Sequence, residues 1–202
     1  MGVSRRVLVA GAVGALVVPP VPSGRTIVSC AEWGARPPVE PPAVVGRRPT
    51  RVLVHHTATE NAADRSVAHA HRLARFFQDV HIGRDWGDTG QHFTITRGAH
   101  VLEGRHGSLA ALRAGDHLVE GAHCPGQNRT SIGVENEGTY TAELPPDEQW
   151  DALVWLCATV CRQYGIPPSE IHGHRDHYAD TVCPGDALHA RLPALRAEVA
   201  LR

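Results

Sequence analysis

A single mixed α/β domain is the fold class that the sequence predicts, and three observations predict it. Short runs are rich in β-branched residues, longer runs carry apolar residues at helical spacing, and the two kinds alternate along the chain. A length of 202 residues suits one well-buried domain better than two, and 42% hydrophobic with 20% charged residues is ordinary for a globular protein. Arg51-Val-Leu-Val-His55 reads as a buried strand. Further strands are expected over 92–96 and 100–103, joined by a turn at Gly98, and over 131–135. Between the first two strands, Asp64 to Val80 places Val67, Ala70, Ala74 and Phe77 on one helical face, widened by Leu73, Phe76 and Val80. The clearest helix runs from Pro145 to Tyr164 with Trp150, Leu153, Val154, Cys157, Cys161 and Tyr164 on one stripe. Gly165 and Pro167-Pro168 end it. A last helix is expected from Asp186 to Leu201.

Three segments divide the chain: 1–24, 25–50 and 51–202. Met1 to Arg6 is cationic, and the apolar run from Val7 to Val18 is shorter than the roughly 18 residues that a spanning helix needs. This reads as an export signal, and Ser4-Arg5-Arg6-Val7-Leu8 resembles the twin-arginine type. It implies a secreted or wall-associated mature protein without a stable membrane span. An apolar N-terminal helix of a cytosolic protein is the competing reading, since no clean A-x-A cleavage site follows. Residues 25–50 are rich in proline and read as an extended arm carrying Cys30 and Trp33.

A formal net charge of −1 lacks the basic footprint of a nucleic-acid binder. Every basic residue is Arg, so no lysine can serve in a mechanism. Five cysteines are an odd number for an exported chain. The simplest accounting is two disulfides among Cys30, Cys124, Cys157 and Cys161, in any of three connectivities, with Cys183 kept for another purpose. Cys157 and Cys161 lie four apart on one predicted helix and are expected to pair elsewhere.

Among 14 histidines, position has to select. His55 ends a buried strand, His174 lies in Ile171-His-Gly-His-Arg-Asp176, and Cys183 lies in Thr181-Val-Cys-Pro-Gly185. Two imidazoles and a thiolate make a three-ligand zinc site that leaves a fourth position for water or substrate. A rival set, Cys157 and Cys161 with His172 and His174, imitates a structural zinc site. Its cysteines belong to an apolar helix stripe, and its histidines are too close in sequence.

These motifs, with Trp33-Gly-Ala-Arg36, Val52-Leu-Val-His-His-Thr57, Trp86-Gly-Asp-Thr-Gly-Gln-His-Phe93, Gly121-Ala-His123, Asn128 and Ser131-Ile-Gly-Val-Glu135, occur in an order that resembles the type-2 N-acetylmuramoyl-L-alanine amidases and peptidoglycan recognition proteins. The resemblance covers about Trp33 to Leu192. It implies a central mixed sheet flanked by helices, a zinc-containing groove for a peptidoglycan stem, and zinc held by His55, His174 and Cys183. It further implies cleavage between N-acetylmuramic acid and L-alanine, with peptidoglycan as the partner; a monomer is expected, though no residue pattern fixes the oligomeric state. His56, Gln91, His123, Asn128 and Arg175 fall at positions implied to contact substrate. Many relatives carry a tyrosine where this chain has Gln91, so a catalytic tyrosine is missing. Glu135 and Glu137 are expected to look into the groove from one strand face. The recycling-type relatives, which also lack the tyrosine, use a glutamate at the position of Glu135, which implies that it is the general base. Thr181 stands where relatives place Lys or Thr and is implied to hydrogen-bond the oxyanion or substrate. Two other classes compete. A binding-only recognition protein would be marked by loss of the cysteine ligand, and a disulfide-stapled structural domain by absence of zinc.

Overall fold

The computed structural model describes residues 24–202; most of the expected export signal lies outside the described residues. The chain runs β1 (Ile27–Val28), α1 (Cys30–Trp33), β2 (Val44–Val45), β3 (Arg51–His56), α2 (Val67–Ile82), β4 (Phe93–Ile95), β5 (Val101–Glu103), α3 (Ser108–Ala114), β6 (Leu118–Val119), β7 (Ser131–Asn136), α4 (Asp147–Tyr164), β8 (Ile171–Gly173), α5 (Asp186–Ala190) and α6 (Leu192–Ala200), with short 3-10 turns at Pro168–Glu170 and His174–Asp176. Six strands form one mixed sheet in the order β1-β5-β4-β7-β3-β8, antiparallel between β4 and β5 and parallel elsewhere. β2 and β6 make a separate antiparallel pair. The result is the single α/β domain expected, with helices on both faces of a central mixed sheet.

Alternation along each strand sorts the side chains between two layers. Val52 and Val54 on β3 and Ile132 and Val134 on β7 pack against Leu153, Cys157 and Val160 of α4 and Leu195 of α6 in the main core. Leu102 faces the other way, into a smaller cluster with Trp33, Ala70 and Ala74 from α1 and α2. Leu53, His55, Gly133 and Glu135 belong by the same alternation to the face away from α4. Part of that face is left open, and the polar site forms there.

Local chemistry sets the helix ends. Ser66 caps α2 by accepting from the His69 N–H (3.1 Å), while Asp64 accepts from the Ser66 N–H (2.9 Å) in the turn before it, so the helix starts after the expected Asp64. Phe76 stays 53% exposed instead of joining the buried face. The expected C-terminal helix is two helices, interrupted at Arg191. Pro193 has no N–H to continue the first, but it is tolerated in the opening turn of the second.

The proline-rich segment is more than an arm. β1 adds to the sheet edge, Trp33 is buried and donates its Nε1–H to the Glu103 carbonyl (2.7 Å), and the buried Glu103 carboxylate accepts from the Cys30 N–H (3.0 Å). The disulfide expectation is also corrected, because all five cysteines are free. Cys157 and Cys161 are packing atoms of the main core, Cys30 packs beside Trp33, and Cys124 is buried in the loop after β6. A buried thiol serves as a small apolar side chain, a use that counting cysteines overlooks.

Burial also gives the fold a pH dependence. His81 and His92 are 6% and 0% exposed, and desolvation holds each at about 4 against an ordinary 6.5. The unfolded chain then takes up protons first, so this stabilisation is complete above pH 6.5 and is lost as the pH falls toward 4. Each displacement corresponds to roughly 3 kcal/mol. The urea midpoint of metal-free protein is expected to drop between about pH 7 and pH 4.5 through this protonation. A midpoint constant across that window would contradict it.

Candidate metal centre

Neighbouring parallel strands assemble the polar cluster. His55 lies near the C-terminal end of β3, and Glu135 stands beside it in register on β7. On the other flank, Gly173 of β8 pairs with Val54, and the chain leaves β8 directly into His174. Cys183 returns from the loop that follows. The carboxyl ends of such strands are where open α/β sheets present ligand sites.

One ligand-type atom from each of His55, His174 and Cys183 lies within 4.8 Å of the others. His55 Nδ1 is 3.7 Å from Cys183 Sγ. Bond lengths of about 2.0 Å for Zn–N and 2.3 Å for Zn–S put tetrahedral ligands roughly 3.6 Å apart, so this spacing suits a shared ion. His174 Nε2 is shielded from solvent and has no hydrogen-bond partner, which gives that nitrogen no use within the protein alone. Two imidazoles and a thiol are also the donor chemistry of catalytic zinc. The residues present therefore fit this metal. The rival set does not assemble, since Cys157 and Cys161 are enclosed in the core.

A cavity of about 200 Å³ opens over the three residues and is also lined by His56, Gln91, Glu135, His123, His81, Arg84 and Trp86. Burial drives His55 well below its ordinary pKa, with the neighbouring His174 adding to the effect, and burial lowers His174 too. Both imidazoles are thus neutral, the form in which a lone pair is free for metal. Burial pushes the Cys183 thiol up to about 12, against the His56 N–H that points at its sulfur from 3.4 Å. Desolvation raises the Glu135 carboxyl to about 8, with partial relief from Arg84.

The remaining expected residues divide between the cavity and its supports. Gln91 is buried and lines the cavity, its Nε2 donating to Thr94 Oγ1 (2.9 Å). His56 also lines it, with Nδ1 accepting from the Tyr140 N–H (3.2 Å). Asn128 instead closes a loop, its Oδ1 accepting from the His123 and Cys124 N–H groups (both 2.9 Å). Arg175 holds the Cys183 loop through Asp186 (2.6 Å) and the Val182 carbonyl. Thr181 Oγ1 accepts from the Cys183 N–H (3.1 Å), leaving its own proton to donate. Glu137 does not look into the cavity: it is 1% exposed, pairs with His69 (2.6 Å) and accepts from the Arg97 N–H (2.8 Å). Beyond the end of β7 at Asn136, strand alternation no longer directs its side chain.

Sequence reasoning did not select His81, Arg84 or Trp86. His81 and Trp86 stack with ring centroids 4.7 Å apart, and the Arg84 guanidinium lies 5.4 Å from the Trp86 ring. The tryptophan beside a helix end was the available signal.

The family model described as N-acetylmuramoyl-L-alanine amidase matches residues 45–186. The chain belongs to this amidase family. Among its relatives, the family member is 33% identical over 168 residues to peptidoglycan-recognition protein LB of Drosophila melanogaster, spanning 82% of this chain and 67% of that protein. It is 31% identical over 159 residues to an N-acetylmuramoyl-L-alanine amidase of Sus scrofa, spanning 77% of this chain but only 25% of the pig protein. The solved structure of Drosophila PGRP-LB superposes with a TM-score of 0.72 at 30% identity, covering 85% of this chain and 94% of that one. A mutant of PGRP-LB has been solved in complex with tracheal cytotoxin. The family thus includes amidases and peptidoglycan recognition proteins alike.

Proposed function

We propose that this family member is a zinc-dependent amidase that hydrolyses the bond between N-acetylmuramic acid and L-alanine in peptidoglycan. In this reading it acts as a secreted or wall-associated monomer after export directed by residues 1–24. The observation that carries the proposal is the convergence of His55, His174 and Cys183 on one cavity that also holds the desolvated Glu135 carboxyl. Among the described residues no helix is long and apolar enough to cross a membrane.

Zinc held by the three residues would supply a Lewis acid and a water nucleophile active near neutral pH. Glu135 accepts the proton that the attacking water gives up and delivers it to the departing alanine nitrogen. Burial raises this carboxyl to about 8 even with Arg84 nearby, and the charge of a bound zinc ion would lower it into the range where it can accept a proton near neutral pH. His56 and Gln91 offer polar contacts on the cavity wall that orient the scissile amide. Thr181 is not among the residues that line the cavity, and its hydroxyl oxygen supports the Cys183 backbone, so its expected contact with the oxyanion gives way to a role in holding that loop.

Digestion of purified peptidoglycan, with mass spectrometry of the products, tests the proposal. Free stem peptides beginning with alanine, together with intact glycan strands, are expected. Zinc-loaded protein that binds the wall material and releases nothing would overturn the amidase reading in favour of recognition without cleavage.

A further inference from the structure

We propose that His123 is a positioning residue for the metal centre, standing behind the ligand His55, fixing its tautomer and ring plane, and seated in a cradle that only glycine at positions 121 and 133 leaves open. His55 uses Nδ1 on the side of Cys183, and its other nitrogen, Nε2, lies 3.0 Å from His123 Nδ1. The two rings meet edge to face at 86° with centroids 5.0 Å apart. A metal-ligating imidazole is oriented by the partner of its second nitrogen, and here that partner is another histidine.

Protons can be assigned around the chain of rings. His92 Nδ1 accepts from the Gly133 N–H (2.9 Å), so its Nε2 carries the proton given to the Val119 carbonyl (2.8 Å). With His55 Nδ1 kept free for metal, His55 Nε2 carries a proton and donates it to His123 Nδ1. His123 is then protonated on Nε2, an atom shielded from solvent and without a partner. Leaving that donor unmet carries a desolvation cost, so the bond made by Nδ1 is the interaction this side chain is placed to make.

The cradle is a matter of space. A Cβ at Gly133 would fall 2.6 Å from His123 Cγ, and one at Gly121 would fall 2.6 Å from His123 Cδ2. Neither glycine adopts a left-handed φ, so conformation does not demand them. The His92 ring, 5.4 Å away, closes the cradle on a third side, and Asn128 fixes the loop backbone.

The inference rests on the zinc reading for the identity of the metal. Zinc affinity is measured on metal-stripped wild type, His123→Leu, His123→Asn and Gly133→Ala by competition with a chromogenic chelator, alongside cobalt(II) absorption spectra and imidazole ¹⁵N shifts. His123→Leu is expected to weaken zinc by about 10–100-fold and to change the cobalt spectrum. His123→Asn, which restores an acceptor near Nδ1, is expected to recover much of the loss. Gly133→Ala should reproduce the leucine phenotype with His123 still present, and if it does not fold, the leucine and asparagine pair decides. Wild-type affinity and an unchanged cobalt spectrum in His123→Leu would overturn the positioning role while leaving the zinc reading intact. Wild type that binds no zinc removes both, and ¹⁵N shifts placing the His55 proton on Nδ1 in metal-free protein would count against this role alone.

Discussion

Glu135→Gln is expected to retain zinc while kcat falls by about 100-fold or more, the usual scale for losing a general base. The amide keeps the size and hydrogen-bonding capacity of the side chain but cannot take a proton from water. Glu135 is placed for that step because it shares the cavity with the three candidate ligands, where the charge of a bound dication would draw its carboxyl down from the value that burial alone gives it. Glu137→Gln makes the contrast. It removes a charge from a buried pair with His69, so it should lower the melting temperature more than it lowers kcat. Steady-state kinetics on metal-quantified protein, with thermal melts of both variants, check the pair, and near-normal kcat in zinc-loaded Glu135→Gln would make the carboxylate structural.

Cys183→Ser is expected to abolish both tight zinc retention and hydrolysis. A serine hydroxyl does not ionise at neutral pH and is a poor ligand where a thiolate would bind. The backbone around it should persist, because the His56 N–H that meets Sγ can meet Oγ instead, and Thr181 and Arg175 hold the loop from either side. Metal content after dialysis, measured with the release of stem peptides, reads the effect. Full activity in the variant would remove Cys183 from the metal site.

The long periodic elements were legible in the sequence because burial writes a pattern into them. The strand Arg51–His56 and the helix Asp147–Tyr164 agree with expectation to within one or two residues. β8 was not legible: three residues at a sheet edge are too few to show a period, yet their pairing with β3 brings His174 beside His55. α3 was hidden in the same way among small residues, without a side-chain cap. The three residues that converge on the cavity, His55, His174 and Cys183, were picked out by ordered motifs, and Glu135 beside them by strand alternation with its motif. Sequence spacing could not separate residues that face the cavity from those that hold it up. Asn128 and Arg175 bond to backbone within loops, and only the folded chain shows which groups they meet.

The cysteines have a consequence beyond packing. Burial raises the thiols of Cys30 and Cys157 far above their ordinary range and those of Cys124 and Cys161 to about 11, and none is joined to another. A reductant therefore finds no crosslink to cut among the described residues, and a mild oxidant meets four thiols that are neither ionised nor accessible. The architecture of the described residues therefore needs no disulfide, and its assembly does not depend on an oxidising compartment. Cys183 is the one cysteine among the described residues that is not fully enclosed, so an oxidant would meet its sulfur first, and in the zinc reading that oxidation would remove a metal ligand and leave the scaffold standing.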